Sequence, residues 1–489
     1  MKRKITILLT IGLIAVIALS SCSANGDINT VTANDNKSNN FNESSETITE
    51  NLYPELPGVQ FGGYEIKFLV RNESHIIFVA KDIYAEAENG ESINDAVYRR
   101  NRKIEEIYDI NISQEAVANP GDFIKKPIMS GDCPYDVMIE ATVNSVSLSA
   151  ENMLVDLKTV PYFDFGMPWW DQSLTKELSI GGKLYCNVSD LIISDKNGTW
   201  CVLFNKNIIR DYMFDDPYIL VGESKWTIDK FFDMSKNILV DADGDGKYNI
   251  NYDKFGFATE PYNIFVMTVG AGCRLVDKDE KDLPVLSANN ERFIAAYEKA
   301  VIIHNDTSTA DASRIGGDTN NDPFYGGIIP AFNDGRIMFY MGSIALVPLF
   351  RDMTQDCGIL PIPKFNEEQE KYYTTMSVFN NGAIYIPITN ENLERTGIII
   401  EALSAESRYT LRPAYYDITL KTKLSRDNES SDMLDILFAN RIADIGMTYN
   451  FGGLMNLFYG NNYNFASAYA KIENAANNEI QKLISKLEQ

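Results

Sequence analysis

Along most of this chain, short apolar runs of strand character alternate with amphipathic stretches of helical period, and this limits the fold more than any other feature. Ile66–Val70 is an apolar run behind the turn pair Gly62 and Gly63. From Ser92, the stretch SINDAVYRRNRKIEEIYDINI sets Ile93, Ala96, Val97, Ile104, Ile107 and Tyr108 on one helical face, with Ser92 and Asp95 reading as a capping box. Val137–Ile139, Leu184–Val188, Cys201–Phe204, Arg336–Met341, Gly358–Leu360 and Ala383–Pro387 read as further strands. Thr227 reads as the N-cap of a second helix, with Trp226 and Phe231 as its hydrophobic staple. Tyr469, Ile472, Ala476, Ile480, Leu483 and Leu487 stripe a long closing helix. Strands separated by helices favour parallel sheets covered on both faces, an α/β architecture. About 440 residues follow the N-terminal segment, which suits two or three domains rather than one core. No internal repeat is visible.

The first residues have a different character. Lys2, Arg3 and Lys4 precede an apolar run from Ile5 to Leu19. Its length, about 15 residues, falls short of the roughly 20 that a membrane-spanning helix needs, and suits a secretory signal peptide over residues 1–21. The run ends in Leu19, Ser20, Ser21 and Cys22, which resembles the lipobox of bacterial lipoproteins. That resemblance implies cleavage before Cys22 and acylation of its thiol, with several acyl chains giving a stable anchor. Residues 23–51, rich in Asn, Ser, Thr and Glu, have almost nothing to bury and read as a disordered tether. Such a coil spans roughly 30 Å root-mean-square. Lipobox and long tether together point to the outer face of a Gram-positive cell membrane.

Charge and residue usage exclude several functions. The formal net charge is −24, which argues against nucleic-acid binding, since that needs basic patches. Beyond Cys22, the five cysteines Cys133, Cys186, Cys201, Cys273 and Cys357 are scattered without a CxxC pair and read as inert thiols rather than a disulfide framework. His75 and His304 are the only two histidines, and His304 sits on the helical stripe of Phe293, Tyr297, Ala300 and Val301 as a packed or helix-terminal residue. A His-based triad or zinc site is therefore excluded.

Several segments, in order, resemble the family 1 extracellular solute-binding proteins, the sugar-binding components of bacterial ABC importers. AVYRRNRKIEEIYDINI resembles the family's first helix and the strand after it, and YDVMIE its second strand. LVDLKTVPYFDFGMPWWDQSLTKELSIGGKLY resembles the stretch before the first crossover, and VLFNKNII the segment after it. ESKWTIDKFFDMSKNI, AFNDGRIMFYMGS and CGILPIPK resemble later family elements. The resemblance runs from about Tyr53 to the C-terminus. It implies a type II periplasmic-binding-protein-like fold: two α/β lobes joined by a hinge, with ligand between them. Residues 52–202 with about 375–410 would form the first lobe, and 203–374 with about 411–489 the second. Crossovers fall near 198–204 and 374–382. The crevice at the carboxyl ends of the strands is the expected site.

The resemblance makes Glu260-Pro261-Tyr262 the most pointed candidate: maltose-type members carry this turn in the second lobe, where Glu accepts sugar hydroxyls and Tyr stacks. Glu140, just after Val137–Ile139, is placed to accept two hydroxyls, although maltose-type members often carry an aromatic there. Arg71, Asn72 and Glu73 follow the first strand. Asn380 and Asn381, before Gly382, sit at the return crossover, where amides suit hydroxyls and also suit a turn. Trp200, beside Asn197 and Gly198, offers an aromatic wall at the first crossover. Trp169-Trp170-Asp171 reads as structural packing. Ser343, with Ile344, occupies a place where the family's sugar binders often carry Trp, and Tyr449 is a candidate substitute from another direction. Asp241, Asp243, Asp245, Lys247 through its carbonyl, Asn249 and Asp253 resemble a calcium loop, with Gly246 at the sharp turn and Asp253 one place beyond the usual twelfth position.

The function expected is capture of a mono- or oligosaccharide for ABC permease subunits, by a monomer, without catalysis or an obligatory cofactor, calcium being structural. Its only expected membrane contact is the lipid anchor. Two other readings fit the sequence: a secreted carbohydrate-active enzyme using Glu140 and Glu260 as paired carboxylates, and a ligand sensor for a membrane receptor.

Overall fold

The structure, a computed structural model, describes residues 52–312, 322–351, 353–421, 429–459 and 464–487. The leader, Cys22 and the tether lie outside the described residues. No helix among the described residues is long and apolar enough to cross a membrane.

Two main sheets organise the chain. In the first, the order is Ala383–Tyr385, Val137–Glu140, Tyr64–Arg71, Ile110–Val117. Tyr64–Arg71 pairs in parallel with both neighbours, and Ala383–Tyr385 closes the edge antiparallel. In the second, the order is Cys357–Leu360, Trp200–Asn205, Ile337–Ser343, Lys254–Thr259, Leu239–Val240, with Thr309–Asp311 also pairing in parallel to Lys254–Thr259. Phe68, Leu69 and Val70 are consecutive and all fully buried, as a parallel strand covered on both faces requires. Separate apolar cores form around the two sheets, one holding Phe68, Val137 and Ile384, the other Phe231, Phe257 and Phe339.

Local sequence signals hold in most places. Thr227 caps the helix Ile228–Ser235 by accepting from Lys230 N, and Trp226 packs edge-on against Phe231 as the staple requires. The closing helix spans Phe465–Leu487 with Tyr469, Ala476, Ile480 and Leu483 buried. At Ser92–Tyr108 the capping box does not form. Ser92 is already helical, and Asp95 instead accepts from Asn89 N and Gly90 N, holding the turn ahead of the helix. The stretch Leu184–Val188 makes only an isolated bridge, Asn187 to Ile384, rather than a strand. Trp169 and Trp170 are core residues whose indole N–H groups donate to the two oxygens of Glu401, each at 2.9 Å.

The passage between the sheets is built from three segments rather than two. Thr199 bridges antiparallel to Met376, Thr374–Thr375 pairs in parallel with Arg441–Ile442, and Thr374 Oγ1 donates to the Trp200 carbonyl. A Cβ on Gly198 would lie 3.3 Å from Asn381 N and Cα, so the outgoing and returning chains pass nearly in contact. Arg441, 2% exposed, locks them: its guanidinium donates to Asp195 at 2.8 Å, to Thr199 Oγ1 at 3.3 Å, and to Asp171. Burial works to lower its pKa, but Asp171 and Asp195 together hold it raised. The helix Leu411–Lys421 packs against Ser92–Tyr108 and Leu393–Tyr409, on the first sheet's side. Residues after 410 were expected with the second lobe. Leu411 and Tyr415 reverse that locally, because their apolar side chains complete a cluster with Val97 and Ile193.

Candidate functional site

The parallel strands Lys254–Thr259, Thr309–Asp311 and Ile337–Ser343 end at one edge of the second sheet. The antiparallel strand Trp200–Asn205 begins there, with Ser343 opposite Trp200 and Thr259 opposite Asp311. On the first sheet, Arg71 and Glu140 end their strands. The short turns Glu73–Phe78 and Ile344–Phe350, which leave a strand of each sheet, approach one another. The two carboxyl edges therefore lie toward one another, and Trp200, Glu260 and Tyr262 meet at the second sheet's edge.

Their geometry is that of a site with unmet polar demand. The rings of Trp200 and Tyr262 lie 5.3 Å apart, and Tyr262 lies 6.3 Å from Phe379 and 6.5 Å from Tyr459. Among the described residues, Trp200 Nε1 is buried without a hydrogen-bond partner, and Tyr262 Oη has no well-formed one, only a weak contact with the Val378 backbone. Buried polar groups are satisfied in the large majority of cases, so two such neighbours need an explanation. Glu260 is part-buried, and no Lys or Arg among the described residues acts on it. Burial, and then the nearby Asp311 carboxylate, push its pKa up to about 7. Burial likewise holds the Tyr262 hydroxyl well above its ordinary value. An indole N–H, a phenol and a carboxyl thus cluster beside Phe379 and Tyr459, which stay 40% and 47% exposed. This set can donate to and accept from hydroxyls while a flat apolar face stacks.

The candidates from the first lobe have other work. Glu140, completely buried, accepts from Gly121 N at 3.1 Å and Ala141 N at 2.6 Å, so both oxygens serve the start of the helix Pro120–Ser130 and the local turn. It also faces Arg71, whose guanidinium is lowered in pKa by burial and partly restored by Glu140 and Asp82. The expectation that Glu140 points free into the crevice is corrected by those backbone donors. Arg71 Nη1 reaches the Phe379 carbonyl at 3.5 Å and so helps to seat an aromatic of the site. Asn72 caps the turn Glu73–Phe78 through Ser74 N and Ser74 Oγ. Asn381 is fully buried, accepting from Thr142 N and donating to Thr142 Oγ1, while Asn380 is only part-buried. Ser343 sits beside Trp200 in the ladder. Tyr449 is elsewhere: it stacks on Phe451 at 5.2 Å, lies 3.4 Å from Ser149 Oγ, and lines a groove of about 700 Å³ between Thr142–Ala150 and the closing helix.

Sequence reasoning missed Phe379, Tyr459 and Asp311. Phe379 adjoins the flagged pair Asn380 and Asn381, so the crossover itself was a signal. Nothing local marked the other two, whose place depends on tertiary packing.

In the acidic loop, the carboxylates of Asp241, Asp243 and Asp253 come within 4.8 Å of one another. Asp253, fully buried, accepts from Ala242 N and Asn249 N, which closes the loop and brings the late position into range. Asp245 does not join them: it accepts from Lys247 N, and Asn249 accepts from Asn251 N. The donor set is hard oxygen, the chemistry calcium takes.

Two main sheets, joined by a multi-segment crossing, make a two-lobed α/β fold. Solved structures share it. M. tuberculosis UspC superposes with a TM-score of 0.55 at 14% identity, over 85% of this chain and 99% of that one. An ABC substrate-binding protein from Listeria monocytogenes in complex with cycloalternan gives 0.51 at 12%, over 87% and 99%. A cyclo/maltodextrin-binding protein complexed with maltotetraose gives 0.51 at 12%, over 88% and 99%. No protein-family model matches the sequence, and no curated protein matches it.

Proposed function

We propose that this chain captures a carbohydrate in the crevice between its lobes and hands it to the permease subunits of an ABC importer, held at the outer membrane face by acylated Cys22 and its tether. The observation that carries the reading is the convergence of Trp200 Nε1, without a partner among the described residues, the weakly partnered Tyr262 Oη and the part-buried Glu260 beside an aromatic rim. The fold supports it, since structures of that fold hold cycloalternan and maltotetraose. Capture without chemistry fits best, because Glu140, the partner a two-carboxylate glycosidase would need, is committed to backbone amides. Calcium at Asp241, Asp243 and Asp253 would brace the loop between the strands Leu239–Val240 and Lys254–Thr259. The test is a thermal-shift screen of the mature chain against mono- and oligosaccharides. A ligand at 100 times its dissociation constant adds about 2.7 kcal/mol. A shift with one saccharide class, recovered intact, supports capture; breakdown products would move the reading to an enzyme, and no shift with any saccharide would remove the carbohydrate.

A further inference from the structure

Contact between the lobes is not confined to the crossing. The helix Gln172–Leu178 buries Leu174 and Leu178 in the first core, and Thr142–Ala150 buries Leu148 there. The hairpin of Val276–Lys278 and Pro284–Leu286 joins the second core through Leu275 and Val276, and the helix Phe465–Leu487 through Ile480 and Leu483. Polar contacts run between these two sets of segments. Arg274 donates to both oxygens of Glu177, at 2.6 and 3.3 Å. Lys278 Nζ donates to the carbonyls of Lys176 and Ser179, in the last turn of the helix Gln172–Leu178 and at its C-cap. Asp282 accepts from Ser179 Oγ at 2.6 Å and from Gly182 N at 3.1 Å, and its carbonyl accepts from Gly181 N at 2.8 Å. Two lysines cap helix ends in opposite directions: Lys486 Nζ donates to the Ala150 carbonyl and Lys183 Nζ to the Leu487 carbonyl, each at 2.9 Å. A Cβ on Gly181 would lie 3.3 Å from a methyl of Leu283 and 3.6 Å from one of Leu487. The turn Ile180–Lys183 is therefore gripped between the hairpin and the closing helix, with Ile180 packed in the second core.

This clasp differs in kind from the Arg441 lock. Arg441 is 2% exposed, whereas the Arg274 and Glu177 side chains keep 26% and 16% exposure and Lys278 and Asp282 keep 16% and 28%. Ion pairs open to water contribute little each and are screened by salt. The joint is also loosely packed, unlike a fixed interior. The groove of about 700 Å³ flanks it on the closing-helix side, and a cavity of about 390 Å³ lies between the helix Gln172–Leu178 and the hairpin. The clasp is formed in the same arrangement in which the turns Glu73–Phe78 and Ile344–Phe350 of opposite lobes approach. From this geometry we infer that the clasp is a releasable latch that holds the two strand-end edges together, with the buried crossing as its pivot. Breaking the clasp lets the edges part. Affinity at those edges then inherits the salt dependence of the clasp, even for an uncharged ligand. The latch is a property of the fold and holds whatever ligand the protein takes.

The experiment is small-angle X-ray scattering of the unliganded mature chain, wild type against the double variant Glu177→Gln, Lys278→Met, which keeps the net charge. Sodium chloride at about 0.01 M and about 1 M takes the screening length from about 30 Å to about 3 Å. The tether is common to both chains, so the difference in radius of gyration between them reports the lobes. The expected result is a larger radius for the variant in low salt, with the two chains converging in high salt. A second variant, Lys183→Met with Lys486→Met, should expand likewise through the other half of the clasp; circular dichroism checks that both fold. Hydrogen exchange supplies a local readout. In the variants, and in wild type as salt rises, the amides of Gly181 and Gly182 should exchange faster, while that of Ser377, which donates to Gly198 O at the crossing, keeps its protection. Faster exchange at the clasp with an unchanged radius would make it a local brace and overturn the latch. A smaller radius in either variant, or loss of Ser377 protection along with the clasp, would overturn it as well.

Discussion

Replacing Arg441 by leucine should cost about 3–5 kcal/mol, the range for removing one partner of a buried ion pair. The guanidinium is 2% exposed and Asp195 is fully buried, so solvent cannot replace the lost charge. Each carboxylate within about 4 Å interacts by about 4 kcal/mol at the effective dielectric of 20 typical of protein sites. Against this, removing Arg441 relieves the cost of burying it, and leucine restores some apolar packing. What remains is Asp195 with only Lys196 Nζ, 3.5 Å away, as a charge partner, together with the lost donor to Thr199 Oγ1. Urea unfolding of wild type, Arg441→Leu, Asp195→Asn and the double variant would measure it, with m-values checked for a change in cooperativity. Asp195→Asn should cost less in the Arg441→Leu background than alone, because the stranded charge is then removed. A single-variant cost under about 1 kcal/mol, or strict additivity of the two changes, would refute the hinge lock.

Other outcomes follow from buried groups with shifted protonation. Burial raises Glu401 from 4.5 to about 7 despite the two indole donors. Its contribution is therefore fully present below pH about 4.5 and lost as pH rises through about 7, about 3 kcal/mol in all at 1.36 per unit. Between pH 5 and pH 8.5, the stability gap between wild type and Glu401→Gln should shift by most of that amount in the variant's favour; parallel pH curves would contradict it. Tyr262→Phe should leave the ligand-free melting temperature nearly unchanged, since the Oη it deletes is buried with only a weak contact to the Val378 backbone, while weakening saccharide binding by up to about tenfold. A loss of ligand-free stability would show that the hydroxyl has a structural partner. Millimolar calcium should raise the melting temperature of wild type but not of Asp243→Asn, whose exposed carboxylate otherwise accepts from Asp245 N and pairs with Asp241. An equal rise in both would place the ion elsewhere.

The alternation of apolar runs and amphipathic helices was enough to specify an α/β architecture, because strand and helix periods are local properties of side-chain spacing; the two lobes were implied by the resemblance. Thr227 with Trp226 and Phe231, and the stripe from Tyr469 to Leu483, were legible for the same reason: every group involved lies within a few turns of chain. Glu260 and Tyr262 were legible as a motif. Which acidic residues stand free was not. Glu140 ends one buried strand and Glu260 follows another, but Gly121 N reaches back from another element to occupy the first, and no described residue donates to the second. The third hinge segment was equally hidden, since Arg441 finds Asp171 and Asp195 across about 250 residues. Sequence determined the elements and the chemistry available at strand ends. Tertiary structure decided which of those groups are consumed by backbone donors and which remain for a ligand, because hydrogen-bond satisfaction depends on neighbours in space rather than in sequence.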